Sequence, residues 1–520
     1  MRAAVDRRIA ALAERCVVAG RVDTALLDEH QEMAYHLAFL AAETAAAAAM
    51  AEYGALGEHE AGLAAVALAD LMRSARQRLD GREGEADLRG GAADDVLEAG
   101  AAPQSLEAVA ARLPASGTGP NHLPSDVALV ADTFGRFAAE QVAFRAEAVH
   151  RENQDVPEDV IAGMAAMGAF GMSIPRVYGG FQDPESTGML PMVVATEALS
   201  VGSLMAGSLL TRPEILVSAL LSGGTEDQKQ AWLPSIASGE RMVAVAVTEP
   251  DYGSDVAGIT STALRDGPDY VLNGTKMWAT FAGRAELLMV LARTDPDRTA
   301  GARGLSLFVV EKPGVAGHEF AMKQPGGGRI SGRAIDTIGY RGLHSFEVTF
   351  DGWRVPADSL IGGEDGAGRG FYMQMGAFAA GRLQTAARGL GVMEAAFREA
   401  LRYSQERSVF GRRLFDYQLT RATLARMAAK IQASRRLTYR AAADIDSPAG
   451  QGLAAMAKAL ASRSAEEVTR DAMQIHGGYG YAEEYPVSRL FVDARVLSIF
   501  EGTEEILALR VIARDLLNRV

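Results

Sequence analysis

Cysteine is nearly absent from this sequence. The single Cys16 excludes an internal disulfide and any cysteine-based metal cluster, and it suits a reducing compartment. No secretory leader is expected either, because Arg2, Asp6, Arg7, Arg8, Glu14 and Arg15 break up the first fifteen residues. The least polar run, AAETAAAAAM, is alanine-rich, interrupted by Glu43 and followed by Glu52. It is expected to be too short and too mildly apolar to span a membrane, so a cytoplasmic location is expected. Positive charge is scarce: 52 Lys and Arg face 66 Asp and Glu, and the formal net charge is −14. That argues against nucleic acid as a partner, which wants clustered cations. The eight histidines are dispersed without paired ligand spacing, so no metal site is expected.

Familiar nucleotide and hydrolase signatures are also lacking. There is no G-x-x-x-x-G-K-[ST] and no G-x-S-x-G. GEDGAGRGF, from Gly363, imitates a Gly-rich nucleotide loop, but Phe371 falls where its last Gly should be. It is expected to be a turn ahead of a long helix. His476 is expected to serve local structure.

What is present points to several domains, since 520 residues exceed one ordinary unit. Leu26, Leu27, His30, Met33, Ala34, Leu37 and Leu40 recur at three- and four-residue spacings and predict helix. Asp80 to Pro124 is rich in Gly, Asp, Glu, Ala and Pro and reads as a linker with one short helix at most. Helical patterns resume from Asp126. Near Met242 the period changes to short β-branched and aromatic runs: VAVAV, YVLNGTKMWAT, ELLMVLART, LSLFVVEKP and SFEVTFDGWRVP. After Pro356 the strands stop and long helices follow. The expected fold is therefore α+β and multidomain. It comprises an N-terminal helical extension and linker at 1–125, a helical domain at 126–242, a central antiparallel β-domain at 243–357 and a C-terminal helical bundle at 358–520. This order is not the βαβ alternation of a dinucleotide-binding fold.

Three segments carry chemistry. VAVTEPDYGSD ends a strand at Val247-Thr248 and opens a Pro- and Gly-containing loop that exposes Ser254 and backbone N–H groups, which suits a flat heterocycle or a phosphate. In NGTKMWATFAG, Asn273-Gly274 reads as a hairpin turn, and Trp278 and Thr280 are expected on one face of the next strand. An aromatic plane beside a hydroxyl suits an isoalloxazine ring, although most tryptophans are simple core. In QIHGGYGYAEEYPVSRLFVDAR, Gly477 and Gly478 allow close backbone approach, and Gln474 can hydrogen-bond a phosphate or a purine.

Together with IPRVYGG, IGYRGLHSFEVTFDGWRVPADSLIG, ERSVFGR and FEGT, these segments resemble the acyl-CoA dehydrogenase family over nearly all of residues 126–520. The resemblance implies a helical domain, a central β-domain and a C-terminal four-helix bundle, assembled as a homodimer or homotetramer with FAD at the subunit interface. It also implies α,β-dehydrogenation of an acyl-CoA thioester, with an electron-transfer flavoprotein as oxidant. By similarity, Val247 and Thr248 contact the flavin, Trp278 and Thr280 flank it, and Ser254 meets FAD pyrophosphate or the CoA side. Arg407 matches an arginine that reaches a neighbouring subunit's FAD, with Phe410 beside it. Gln418, Gln474, Gly477 and Gly478 match positions holding the ADP half, and Thr503 follows the base towards the flavin. Val409 stands where many relatives carry a cofactor-binding threonine.

The family places its catalytic glutamate either in E-G-T or on the long helix immediately before an arginine. The residue before Arg382 is Gly381, which cannot take a proton, so Glu501 is the expected base. The apolar residues before it are expected to supply a dry wall that raises its proton affinity. Arg382 is expected to orient the base or bind substrate. Within the family, TRPEI, RLQTAARGLGV and the extension containing LLDEHQ resemble members acting on a short, branched acyl chain with a free carboxylate. Thr211 and Arg212 fall near the closed end of the acyl pocket, where Arg212 would pair with that carboxylate; an arginine on a helix surface is the alternative. The alternatives in function are another short-chain acyl-CoA dehydrogenase or an acyl-CoA oxidase on the same fold. The extension carries no catalytic constellation and reads as a packing or assembly module.

Overall fold

The computed structural model describes residues 1–82, 85–182 and 189–519. Its contacts divide the chain into two groups. The first comprises Met1–Ala138, Gly188–Leu204 and Arg382–Val520 and is almost wholly helical. The apolar spacing read from the sequence forms the helix Gln31–Gly54, with Met33, Ala34, Leu37 and Leu40 buried. It packs on Glu58–Leu79, which carries Glu58 and Glu60 in its first turn and Arg76 and Arg78 in its last, each favourable to the helix dipole. Gln31–Gly54 also lies against Gln418–Ala443, Gly450–His476 and the π-pitched segment Leu507–Ala513. The sequence suggested a linker between Asp80 and Pro124. Two helices stand there instead, Gly91–Ala101 and Pro103–Ser116, because Leu106, Val109, Ala110 and Leu113 form a buried helical stripe within the Gly- and Pro-rich composition.

A buried ionic cluster fastens the extension to the later helices of this group. Arg435 Nε donates to Glu197 at 2.8 Å and its Nη2 to Glu394 at 3.0 Å. The Tyr439 hydroxyl donates to Glu197 at 2.7 Å, and the Thr118 hydroxyl donates to Glu394 at 2.8 Å. Removing Arg435 would leave the buried Glu197 without the cation it pairs with. Two helices, Gln31–Gly54 and Leu204–Gly223, are long and apolar enough to cross a membrane. The alanine run thus belongs to a longer helix than its composition suggested, but most of both helices is buried inside the protein, as in core helices.

The second group, Ala139–Thr187 with Met205–Gly381, holds an eight-stranded sheet. Its strands run in the order Val243–Ala246, Leu287–Arg293, Thr262–Asp266, Asp269–Thr280, Ser345–Pro356, Arg329–Ile335 and Glu319–Lys323, with Leu305–Glu311 also on Leu287–Arg293. Most pairings are antiparallel, but Val243–Ala246 runs parallel to Leu287–Arg293. Leu287, Met289, Leu291, Leu305, Leu307 and Val309 form a core with helix residues Ile215, Leu216, Leu220, Leu233 and Ile236. Asn273-Gly274 does not make the expected hairpin turn. It lies inside Asp269–Thr280, and the turn falls at Gly267-Pro268. At Gly274, φ is +130° and a Cβ would come within 2.4 Å of the Ser261 hydroxyl, so close strand approach is what requires this glycine.

Candidate active site

The stretch carrying Glu501 follows the helix Pro486–Val496. Leu497, Ile499 and Phe500 continue a helical turn through bonds from their N–H groups to Ala494 and Val496. The chain then breaks sharply: Glu501 adopts φ +55° and Gly502 φ +93°. Thr503 restarts a helix as its N-cap, accepting from Ile506 N–H at 3.4 Å. A left-handed backbone is easy for Gly502 and strained for Glu501, and such strain persists only where the surroundings fix it. Here the Lys458 ammonium donates to Gly502 O at 2.7 Å, and the Ser462 hydroxyl donates to Leu497 O at 3.0 Å. Among the described residues, nothing accepts from the Glu501 backbone N–H.

Glu501 is half-buried, and three cations lie around its loop. Arg382 is buried, and its Nε has no hydrogen-bond partner. Burial pushes it down to about 10, against the opposing field of Glu501. Burial likewise pushes Lys458 down to about 7, again opposed by Glu501. The Arg388 guanidinium sits 4.6 Å from the centre of the Phe500 ring. The arrangement is a carboxylate presented beside a free N–H, with basic side chains around its loop. Sequence reasoning found Glu501 and Arg382 but missed Lys458. Its one signal was a lysine inside the otherwise small and apolar run LAAMAKALAS. The expected dry wall is only partial, since Leu497 is buried and Ile499 is exposed.

In the sheet-containing group, the loop after Val243–Ala246 is held by a pair that the sequence did not announce. The buried Lys276 ammonium donates to Glu249 at 2.8 Å and to Val247 O at 3.1 Å. Glu249 also accepts from the N–H groups of Thr260 and Ser261. Burial opposes its charge, but Lys276 and these donors outweigh burial and hold its carboxyl down to about 2. Val247 is buried, Thr248 half-buried and Ser254 exposed. Thr248 O accepts from Met277 N–H at 2.8 Å, which ties the loop to the strand bearing Trp278. Lys276→Met should leave a buried carboxylate unpaired and cost about 3–5 kcal/mol. A thermal melt checks this, and an unshifted midpoint would contradict the pair.

Trp278 lies in a β-bulge opposite Phe346 to Val348, with φ +61°, and it is 52% exposed. Thr280 is buried, its hydroxyl 2.9 Å from that of Ser345. The simple two-residue alternation is therefore interrupted at the tryptophan.

The residues expected at the ADP half all belong to the helical group and are exposed. Phe410 and Gly411 are the two central residues of the tight hairpin joining Ser408–Val409 to Arg412–Arg413, both at positive φ. This leaves the Phe410 ring 97% exposed. Arg407, Gln418 and Gln474 are also exposed and have no side-chain partner among the described residues. Added Cβ atoms at Gly477 and Gly478 would meet nothing within 4 Å. His476 stacks on Tyr403 at 4.2 Å, and its Nδ1 lies 2.8 Å from Ala472 O, which is a local structural role.

Thr211 and Arg212 open the helix Thr211–Gly223 in the sheet-containing group, and both are buried. Arg212 Nη1 donates to Ser208 O at 3.2 Å, and its guanidinium lies 5.6 Å from the Tyr340 ring centre. Among the described residues no carboxylate pairs with it, and the Thr211 hydroxyl is buried without a partner. Burial pushes the neighbouring Glu214 up to about 6. Asp155, His318 and His344, remote in sequence, also come together, with ligand atoms within 4.8 Å of one another. The histidines are thus less dispersed than their spacing suggested. Asp155 accepts from Gly317 N–H at 2.7 Å and faces His344 Nε2 at 3.1 Å, which fastens two loops.

The acyl-CoA dehydrogenase N-terminal, middle and C-terminal domains match residues 125–240, 244–353 and 368–517. The (2S)-methylsuccinyl-CoA dehydrogenase of Cereibacter sphaeroides is 38% identical over 98% of this chain and 94% of its own. The chain belongs to the acyl-CoA dehydrogenase family. It is therefore an oxidoreductase acting on a CH–CH bond of an acyl-CoA. An acyl-CoA dehydrogenase of Bacillus subtilis (strain 168) is 34% identical, matching 76% of this chain and 99% of its own. The butyryl-CoA dehydrogenase structure from Megasphaera elsdenii superimposes with a TM-score of 0.68 at 30% identity, over 76% of this chain and 98% of that one. The expected fold of helical domain, curled sheet domain and helical bundle is borne out. The first 124 residues lie outside the three family domains. Acyl-CoA dehydrogenases are flavoproteins. Within the sheet-containing group, a half-exposed Trp278 and the Thr280 and Ser345 hydroxyls suit a flat ring. Within the helical group, taken by itself, Arg407, Gln418 and Gln474 have no side-chain partner among the described residues, and two glycines have open space, which suits a nucleotide's polar groups.

Proposed function

We propose that this acyl-CoA dehydrogenase oxidises a short, branched acyl-CoA with a free carboxylate, (2S)-methylsuccinyl-CoA, to mesaconyl-CoA, with Glu501 as its base. The observation that carries the reading is Glu501 itself, held at φ +55° beside a free backbone N–H and the buried Arg382 and Lys458. The thioester carbonyl accepts from the Glu501 N–H, which stabilises charge developing on its oxygen. The Glu501 carboxylate takes the α-proton, and Lys458 holds the Gly502 backbone of the loop that presents it. FAD, when bound, supplies the acceptor for the β-hydrogen as hydride.

Val247, Thr248, Trp278 and Thr280 serve the flavin ring, and Thr503 follows the base on the flavin side. Ser254 meets the pyrophosphate or the CoA. Arg407, Phe410, Gln418, Gln474, Gly477 and Gly478 serve the ADP half. The bare Phe410 ring and the unpaired Arg407 support a homodimer or homotetramer in which a neighbouring copy's FAD covers them. An electron-transfer flavoprotein takes the electrons.

The buried Arg212, which pairs with no carboxylate among the described residues, supports an acidic acyl group rather than a hydrocarbon one. Anaerobic addition of CoA esters to the yellow protein tests this. Methylsuccinyl-CoA should bleach it faster than isovaleryl-, isobutyryl- or butyryl-CoA by at least about 100-fold in kcat/KM, which is the worth of one buried charge pair. A monoacyl ester winning by a wide margin would reject the substrate. Rapid reoxidation by air, matching turnover with the flavoprotein, would favour an oxidase.

A further inference from the structure

The extension reaches the loop that carries the base. Arg463 lies on Gly450–His476, the same helix that supplies Lys458 and Ser462 to that loop. Its guanidinium packs 3.9 Å from the centre of the Phe39 ring on the extension helix Gln31–Gly54. Arg463 Nη2 donates to the Tyr35 hydroxyl at 2.7 Å, and both Arg463 and Tyr35 donate to the carboxylate of Glu504. Glu504 is the first residue of the helix after Thr503, three positions beyond Glu501, and its N–H donates to Ser498 O at 3.2 Å. The strained turn at Glu501 and Gly502 is thus tied down at three points: Leu497 O, Gly502 O and the Glu504 side chain. The first two ties come from the bundle alone, and the third is completed by Tyr35 and Phe39.

We propose that the N-terminal extension is a working part of the active site, with Tyr35 a positioning residue that acts through Glu504 and Arg463 to fix the loop bearing Glu501. This rests on Glu501 being the base. A strained backbone conformation needs surroundings that over-determine it, and a base displaced by about 1 Å loses about 100-fold in rate. The Tyr35–Glu504–Arg463 contact is half-buried and hydrogen-bonded throughout, which sets it apart from surface ion pairs such as Arg510 with Asp28 at 2.7 Å. The methylsuccinyl-CoA dehydrogenase of Cereibacter sphaeroides matches across the extension as well. The Bacillus subtilis relative matches almost end to end without needing it. In this chain the extension therefore takes over part of the work of holding the base.

Tyr35→Phe removes one hydroxyl and keeps the ring beside Phe39. In the full-length FAD-loaded enzyme, anaerobic flavin bleaching should slow about tenfold, with FAD content and half-saturating substrate within about twofold of the parent. Glu504→Gln should show a similar loss, and the double variant no further loss, because both act through one contact. Bleaching at the parent rate in Tyr35→Phe overturns the proposal. So does a loss confined to thermal stability or to half-saturation, and so do losses that multiply in the double variant. Glu501→Gln, run in parallel, separates the two readings. Bleaching that survives there overturns the base assignment, whatever Tyr35→Phe does. Its loss there, with Tyr35→Phe unaffected, overturns the extension's role alone.

Discussion

Glu501→Gln should stop flavin reduction by acyl-CoA almost completely, with a loss of at least about 10³-fold, while the protein stays yellow. The amide keeps the size and shape of the carboxylate and leaves the backbone N–H for the thioester carbonyl. The Lys458 bond to Gly502 O is a backbone contact and also survives. On the proposed assignment what is lost is the proton acceptor, and a positioned general base is worth about 10²–10⁴ in rate. The two nearest candidates by sequence do not replace it. Glu504 is already engaged by Arg463 and Tyr35, and the position before Arg382 is Gly381. Binding should persist, because the Gln N–H and Arg382 remain. The check is an anaerobic titration with methylsuccinyl-CoA, read by flavin absorbance alongside ligand binding. Bleaching within about tenfold of the parent would reject Glu501 as the base.

The sequence showed the fold well where the hydrophobic period was local. Leu37 and Leu40 in the extension helix, and the runs LLMVLAR and LSLFVVE in the sheet, are core residues whose spacing alone reveals them. It misled where tertiary approach overrides local preference. Asn273-Gly274 has the composition of a tight turn, yet Ser261 packs against Gly274 and the strand runs straight through. The stripe Leu106, Val109 and Leu113 was hidden by neighbouring Gly and Pro. At the candidate site, Glu501 and Arg382 were singled out in the sequence because each sits in a short motif. Lys458, Glu249 with Lys276, and Tyr35 were not. Their meaning lies in partners 27 to hundreds of residues away, as Tyr35 with Glu504 shows, and composition carries no record of long-range pairing. The Asp155, His318 and His344 grouping was missed for the same reason.

Arg212 provides the sharpest test of substrate choice. It is buried and pairs with no carboxylate among the described residues. Ser208 O and the Tyr340 ring offset part of its desolvation, and neither carries a charge. A substrate carboxylate would complete the neutralisation through a charge-assisted, bidentate contact. Arg212→Met keeps much of the apolar stem and removes the charge, so packing against Tyr340 should survive. Truncating one partner of a buried charge pair costs about 2–5 kcal/mol. Turnover of methylsuccinyl-CoA should therefore fall about 10²–10³-fold in kcat/KM. Butyryl-CoA, which brings no carboxylate to strand, should change by less than about threefold or improve. The ratio of the two esters is the decisive reading, since damage to folding or to flavin binding would lower both together. Parallel losses on both esters would make Arg212 a structural cation held by Ser208 and Tyr340. Selective loss of the dicarboxylic ester would give the acidic end of the substrate its partner.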